Sequence, residues 1–237
     1  MTIKTTLILL SLFFISACNT KPVSEREFQI HDHAFLQTIG SATAVILCHG
    51  RGKHPRWLVV DPLRKQIHKQ MGFHTLSLQM PIDDEIDWQD YRYLFPQAFQ
   101  TIKDSIIYLK EKHQVEKVFL IGHSMGSRMA SAYLASTAEH GITGFIGIGM
   151  RNNGEHPLDA SVNLSKIKLP VLDLFGNGGN LKDFYHAKDR SPLISKLYKQ
   201  QMVKNADHKF TQHQQEMVKS VIHWLETKQV SSKQGLK

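Results

Sequence analysis

The chain has 237 residues, of which 41% are hydrophobic. That is enough for one sizeable α/β domain, excludes a disordered chain and requires no second core. Formal net charge is +8, yet the lysines are scattered and no basic stripe interleaved with aromatics occurs, which excludes nucleic acid as the leading partner and leaves anionic lipid head groups.

The first stretch, MTIKTTLILLSLFFISAC, carries one lysine, an apolar run and small residues directly before Cys18. The run is too short to span a bilayer comfortably and has the layout of a secretory signal. Ile15-Ser16-Ala17-Cys18 resembles the bacterial lipobox, in which a peptidase cuts before the cysteine and the thiol carries lipid. That resemblance implies a signal peptide over 1–17 and a mature chain that starts at a lipidated Cys18. Asn19 rather than Asp after the cysteine implies the outer membrane of a Gram-negative cell, with the domain facing the periplasm. Residues 18–30 are expected to be a polar tether, 31–229 the folded domain and 230–237 a polar tail. Cys48, in the apolar run AVILC, then has no disulfide partner and reads as a small core residue.

TAVILCHG (43–50) is a continuous apolar run closed by glycine, as a strand covered on both faces requires. Leu63, Ile67 and Met71 then recur at helical spacing, and Gly72 is a stop signal. FHTLSLQMP (73–81) predicts a strand, and Ala98, Ile102, Ser105, Ile106 and Leu109 mark a helix within 91–112. KVFLIG (117–122) is a fully apolar strand, followed by the helix MGSRMASAYLAS (125–136). GITGFIGIGM (141–150) and LPVLDLFG (169–176) predict two more strands, with a weaker one over 197–203 and a closing amphipathic helix over about 211–227. The segment 151–168 is polar, reads as irregular and is too short for an independent cap domain. Strands alternating with helices imply parallel pairing and right-handed crossovers. The expected fold is therefore a doubly wound, mostly parallel α/β sheet in a single domain with a minimal cap.

Gly122-His123-Ser124-Met125-Gly126 lies where an apolar strand meets a helix. This is the G-x-S-x-G elbow, a turn so tight that its flanks favour glycine and the serine is thrust above the sheet edge. A serine hydroxyl needs a base to remove its proton. Among 14 histidines, His208 in NADHKF stands between the last predicted strand and the last helix, where a base can reach back to the same sheet end. His213 is the near alternative, placed inside the helix. In His49-Gly50-Arg51-Gly52 the glycines let backbone N–H groups approach a substrate, and the amides of Arg51 and Met125 would form an oxyanion hole. His49 reads as a structural hydrogen-bonder. No histidine–carboxylate set stands at metal-ligand spacing, and neither metal nor cofactor is expected.

Strand-HGRG, strand-GHSMG-helix, strand-FGNGG and NADHKF-helix together resemble the α/β-hydrolase superfamily over the whole chain after residue 40. LPVLDLFG, ADHKF and the closing helix also resemble an uncharacterised bacterial family of exported α/β-hydrolase-like proteins. The resemblance implies Ser124 as nucleophile, His208 as base, Arg51 and Met125 as oxyanion donors, and a small acyl substrate such as an ester or thioester. The acid departs from the pattern. Related sequences place it three residues beyond the glycine that ends its strand, and here that position is Gly179. Asp173 lies too far back and is expected within the sheet in a structural role. Asp183, on a free segment beyond the glycine loop, is the expected relocated acid; Glu155 is second and no functional acid third. Asn180 is a further candidate, able to orient a neutral imidazole. The alternative to an enzyme is a non-catalytic envelope lipoprotein that binds a ligand or protein in its cleft, favoured by the vacant position 179.

Overall fold

The computed structural model describes residues 28–234. The signal segment, Cys18 and the tether up to residue 27 lie outside the described residues. Seven strands form one sheet: β1 (Ala34–Leu36), β2 (Thr43–Cys48), β3 (His74–Leu78), β4 (Lys117–His123), β5 (Gly144–Ile148), β6 (Val171–Gly176) and β7 (Tyr198–Val203). Their order is β1-β3-β2-β4-β5-β6-β7, and every pairing is parallel except β1 with β3. Among the described residues, six α-helices flank the sheet, five between strands and the last after β7: α1 (Val60–Met71), α2 (Phe95–His113), α3 (Met125–Ser136), α4 (Ala160–Lys166), α5 (Lys182–Asp189) and α6 (Gln214–Gln234).

The continuous apolar strands are buried because helices cover both faces, and alternate residues serve opposite layers. Ala44, Ile46 and Cys48 join Val118 and Leu120 under α2, α3 and α4. Val45 and Leu47 join Phe119 and Ile121 under α1 and α6. All central strands run the same way, so Cys48, His123, Ile148, Gly176 and Val203 end on one edge. Ligand sites of doubly wound sheets form at that edge.

Several boundaries differ from the sequence reading, for local reasons. β1 is a three-residue edge strand, too short to register as a period. Residues 151–168 are not wholly irregular: Asp159 accepts from the Ser161 and Val162 amides and starts the short helix α4. The segment beyond the glycine loop is not free either, since KDFYHAKD forms α5. The fold also begins before residue 31, because Phe28 and Ile30 pack against the core. Helix α6 continues to Gln234, through part of the expected tail. His213 precedes α6 rather than lying inside it.

Candidate active site

Ser124 occupies the turn between β4 and α3 with φ 55 and ψ −118, a left-handed backbone that a side-chain-bearing residue rarely adopts. The glycines on either side follow from close approach. A Cβ at Gly122 would stand 2.5 Å from Ser127 Cα, and one at Gly126 would stand 2.3 Å from the Cys48 carbonyl oxygen. The turn therefore presses α3 onto β2 and leaves the half-buried serine at the sheet edge. The loop after β2 closes on it: a Cβ at Gly50 would lie 3.2 Å from Ser124 Cβ. His49 holds that loop, donating through Nδ1 to Gly50 O (2.8 Å) and accepting the Met80 amide at Nε2 (3.0 Å). Burial lowers its pKa to about 4, so it is a neutral hydrogen-bonder and not a second base.

His208 comes from the loop between β7 and α6. Its Nε2 lies 2.9 Å from Ser124 Oγ and its Nδ1 lies 2.6 Å from Asp183 Oδ2. A carboxylate only accepts, so Nδ1 carries the proton and Nε2 offers its lone pair to the serine hydroxyl. Asp183 is 5% exposed. Its other oxygen accepts from Arg151 Nε at 3.3 Å. Burial alone would raise the Asp183 pKa, but the His208 bond and the Arg151 charge outweigh it and hold the carboxyl below its ordinary range. Gly149, left-handed at φ 59, makes room: a Cβ there would stand 3.0 Å from His208 Nδ1 and 3.1 Å from Asp183 Oδ2.

The FGNGG stretch has a packing purpose. A Cβ at Gly176 would lie 2.1 Å from Ala206 O, and one at Gly178 would lie 2.2 Å from Asn205 O. Gly178 N donates to Ala206 O (2.8 Å) and Asn205 N to Asn177 Oδ1 (2.6 Å). The loop that leads into α5, and so to Asp183, is thus laced to the loop that carries His208, which side chains at Gly176 and Gly178 would prevent.

The other candidate acids stand elsewhere. Glu155 is 83% exposed at its side chain and pairs with Arg92 at 2.7 Å. Asn180 accepts the Lys182 amide at 3.2 Å, supporting the first turn of α5 rather than an imidazole. Asp173 is fully buried in β6 and takes a two-pronged bond from Arg190. Neither the Arg51 nor the Met125 amide is engaged in a turn or cap hydrogen bond among the described residues. As the first residue of α3, Met125 also stands where helix amides lack intrahelical partners. Sequence reading missed Gly149, Arg151 and His123. Only Gly149 carried a signal, as a glycine closing an apolar strand.

A doubly wound sheet with a serine on its G-x-S-x-G elbow, a histidine converging from a later loop and a carboxylate from a later helix, defines the class of α/β hydrolases. The chain belongs to the family described as "Alpha/beta hydrolase domain", whose pattern its residues 41–233 match. No curated protein matches it. Solved structures do. The ferulic-acid-bound form of Est1E from Butyrivibrio proteoclasticus is similar at 14% identity and TM-score 0.68, covering 84% of this chain and 95% of that one. An α/β serine hydrolase homologue from Coxiella burnetii is similar at 16% identity and TM-score 0.65, covering 81% and 90%. An esterase from Pyrococcus furiosus is similar at 18% identity and TM-score 0.59, covering 79% and 82%. At these identities the likeness establishes the fold alone.

Proposed function

We propose that the protein is a serine hydrolase of small acyl esters or thioesters, with Ser124 as nucleophile, His208 as base and Asp183 as the acid. The observation that carries this reading is the continuous pair of contacts, 2.9 Å from Ser124 Oγ to His208 Nε2 and 2.6 Å from His208 Nδ1 to Asp183. In acylation, Ser124 Oγ attacks the substrate carbonyl carbon while His208 Nε2 takes the hydroxyl proton. The amides of Arg51 and Met125 would receive the developing oxyanion. The leaving alcohol or thiol then takes the proton from His208, and water repeats the sequence to release the acid. Asp183 holds the imidazole with Nδ1 protonated and stabilises its transient cation. The vacant position 179 had favoured a binding protein; with a carboxylate already on His208, that argument loses its basis.

The test is covalent labelling by a fluorophosphonate, together with turnover of short acyl esters. Wild type should label and turn over; Ser124→Ala should do neither. Ester turnover that survives Ser124→Ala sinks the assignment.

We also propose that the domain is held at a membrane by lipid on Cys18, which is supported by the apolar run that ends in ISAC. No helix among the described residues is long and apolar enough to cross a bilayer. Cys18→Ser should release the protein from membranes or block its maturation. A variant that still sediments with membranes after a salt wash has another anchor.

A further inference from the structure

We infer that His123, the residue immediately before the nucleophile, is a positioning residue for the base: its side chain grips the main chain of His208 and fixes where that imidazole stands. The inference rests on the reading of Ser124 and His208 as nucleophile and base.

His123 ends β4 and is 4% exposed. Its Nε2 lies 2.9 Å from the main-chain oxygen of His208. A carbonyl oxygen cannot donate, so Nε2 carries the proton and the tautomer is fixed. Nδ1 is then a bare lone pair; it is buried and has no hydrogen-bond partner among the described residues. It faces the loop after β2, since a Cβ at Gly50 would lie 3.4 Å from it. The two imidazoles also touch, with ring centroids 5.0 Å apart. One side chain thus meets the base's backbone, the base's ring and the loop proposed to supply an oxyanion amide.

The base needs such a hold because its loop is bent on both sides. Asn205 (φ 60) and Phe210 (φ 53) are left-handed without being glycine. Each such residue carries strain that persists only where surrounding contacts over-determine it. The laced glycine loop restrains Asn205 and Ala206, and Asp207 is tied forward to Thr211. The carbonyl of His208 itself is held by His123. A second imidazole beside the base would also compete with it if it took up a proton. Burial, with the neighbouring His208, lowers the His123 pKa to about 3, so it stays neutral while His208 shuttles.

A small displacement of a catalytic group costs rate more than binding. His123→Phe keeps the ring and removes the N–H, whereas His123→Gln keeps an N–H donor. Steady-state kinetics on a short acyl ester should show kcat of the Phe variant reduced roughly 10- to 100-fold, KM within a few-fold of wild type, and partial recovery of kcat in the Gln variant. The acid limb of the kcat/KM profile should keep the same number of ionisations, because His123 contributes none. Long-range 1H–15N spectra of the wild type should show His123 protonated at Nε2. An Nδ1-protonated His123 overturns the inference whether or not either variant folds. So does a Phe variant with unchanged kcat, a Gln variant no better than Phe, or the loss of an ionisation. Failure of the underlying reading looks different: ester turnover then survives Ser124→Ala, whatever happens at position 123.

Discussion

Asp183 is bonded through both oxygens, to His208 and to Arg151, and its removal separates the two tasks assigned to it. Asp183→Asn keeps the shape but can present an N–H to Nδ1, favouring the wrong imidazole tautomer. We expect turnover to fall by about 10⁴ with the fold retained, measured as kcat on a short acyl ester beside a circular dichroism spectrum. Glu155→Gln should leave kcat within a factor of about two, because an exposed ion pair contributes little. Gly179→Asp should not raise kcat. Position 179 is left-handed (φ 62), and its added Cβ would stand 3.8 Å from Asp207 Cβ, beside another carboxylate. If neither acid variant loses activity and Gly179→Asp raises it strongly, the loop has lost its acid. At this scale the candidate nucleophile was legible because the elbow's backbone demands glycines at fixed offsets. The candidate acid was legible only as the first of several choices, Asp183 ahead of Glu155, because the chain reaches His208 through a left-handed Leu181 (φ 58) that no sequence rule anticipates.

The element that carries Asp183 is a short polar helix fixed at both ends. At its far end Arg190, fully buried, donates Nε and Nη2 to Asp173 at 2.9 Å each and Nη1 to Met150 O (3.0 Å) and Asn152 Oδ1 (2.6 Å). Tyr198 Oη and Gln200 Nε2 add two more donors to Asp173. The pair thus ties α5 to the middle of β6 and to the loop after β5. Arg190→Met strands a buried carboxylate and should cost roughly 3–5 kcal/mol, read as a lower urea midpoint with unchanged slope. Replacing both partners, Arg190→Met with Asp173→Leu, should recover part of that loss. A double variant no more stable than the single one would show that the pair is not the anchor. Elements whose apolar pattern feeds the core, β2, β4, β6 and α3, were legible in the sequence to within a few residues. The elements α4 and α5 were not, because caps and buried polar bonds hold them rather than a hydrophobic stripe.

Across the whole molecule, buried and half-buried histidines set the response to acid. Burial lowers His33 and His49 to about 4 and His123 to about 3. In each case the second ring nitrogen has no place for a proton. His33 Nδ1 accepts from the Gln79 amide (2.9 Å), His49 Nε2 accepts from the Met80 amide (3.0 Å), and His123 Nδ1 is buried without a partner. The folded values lie below the ordinary 6.5, so below that pH the unfolded chain binds more protons and folding stability rises with pH. The stabilisation from neutral histidines is therefore complete above pH 6.5 and is lost as pH falls towards 4, by up to about 1.4 kcal/mol per pH unit for each group. The depressed carboxyls of Asp61, Asp183 and Asp207 act in a separate window, because their stabilisation is lost only below the ordinary 3.8. Unfolding free energies from urea titrations at successive pH values between 7 and 4.5 should decline steadily, with uptake approaching one proton for each of these histidines. The His49→Gln variant, which has no imidazole to titrate, should decline less steeply. A flat profile over that range would mean that these histidines are not held neutral by the fold.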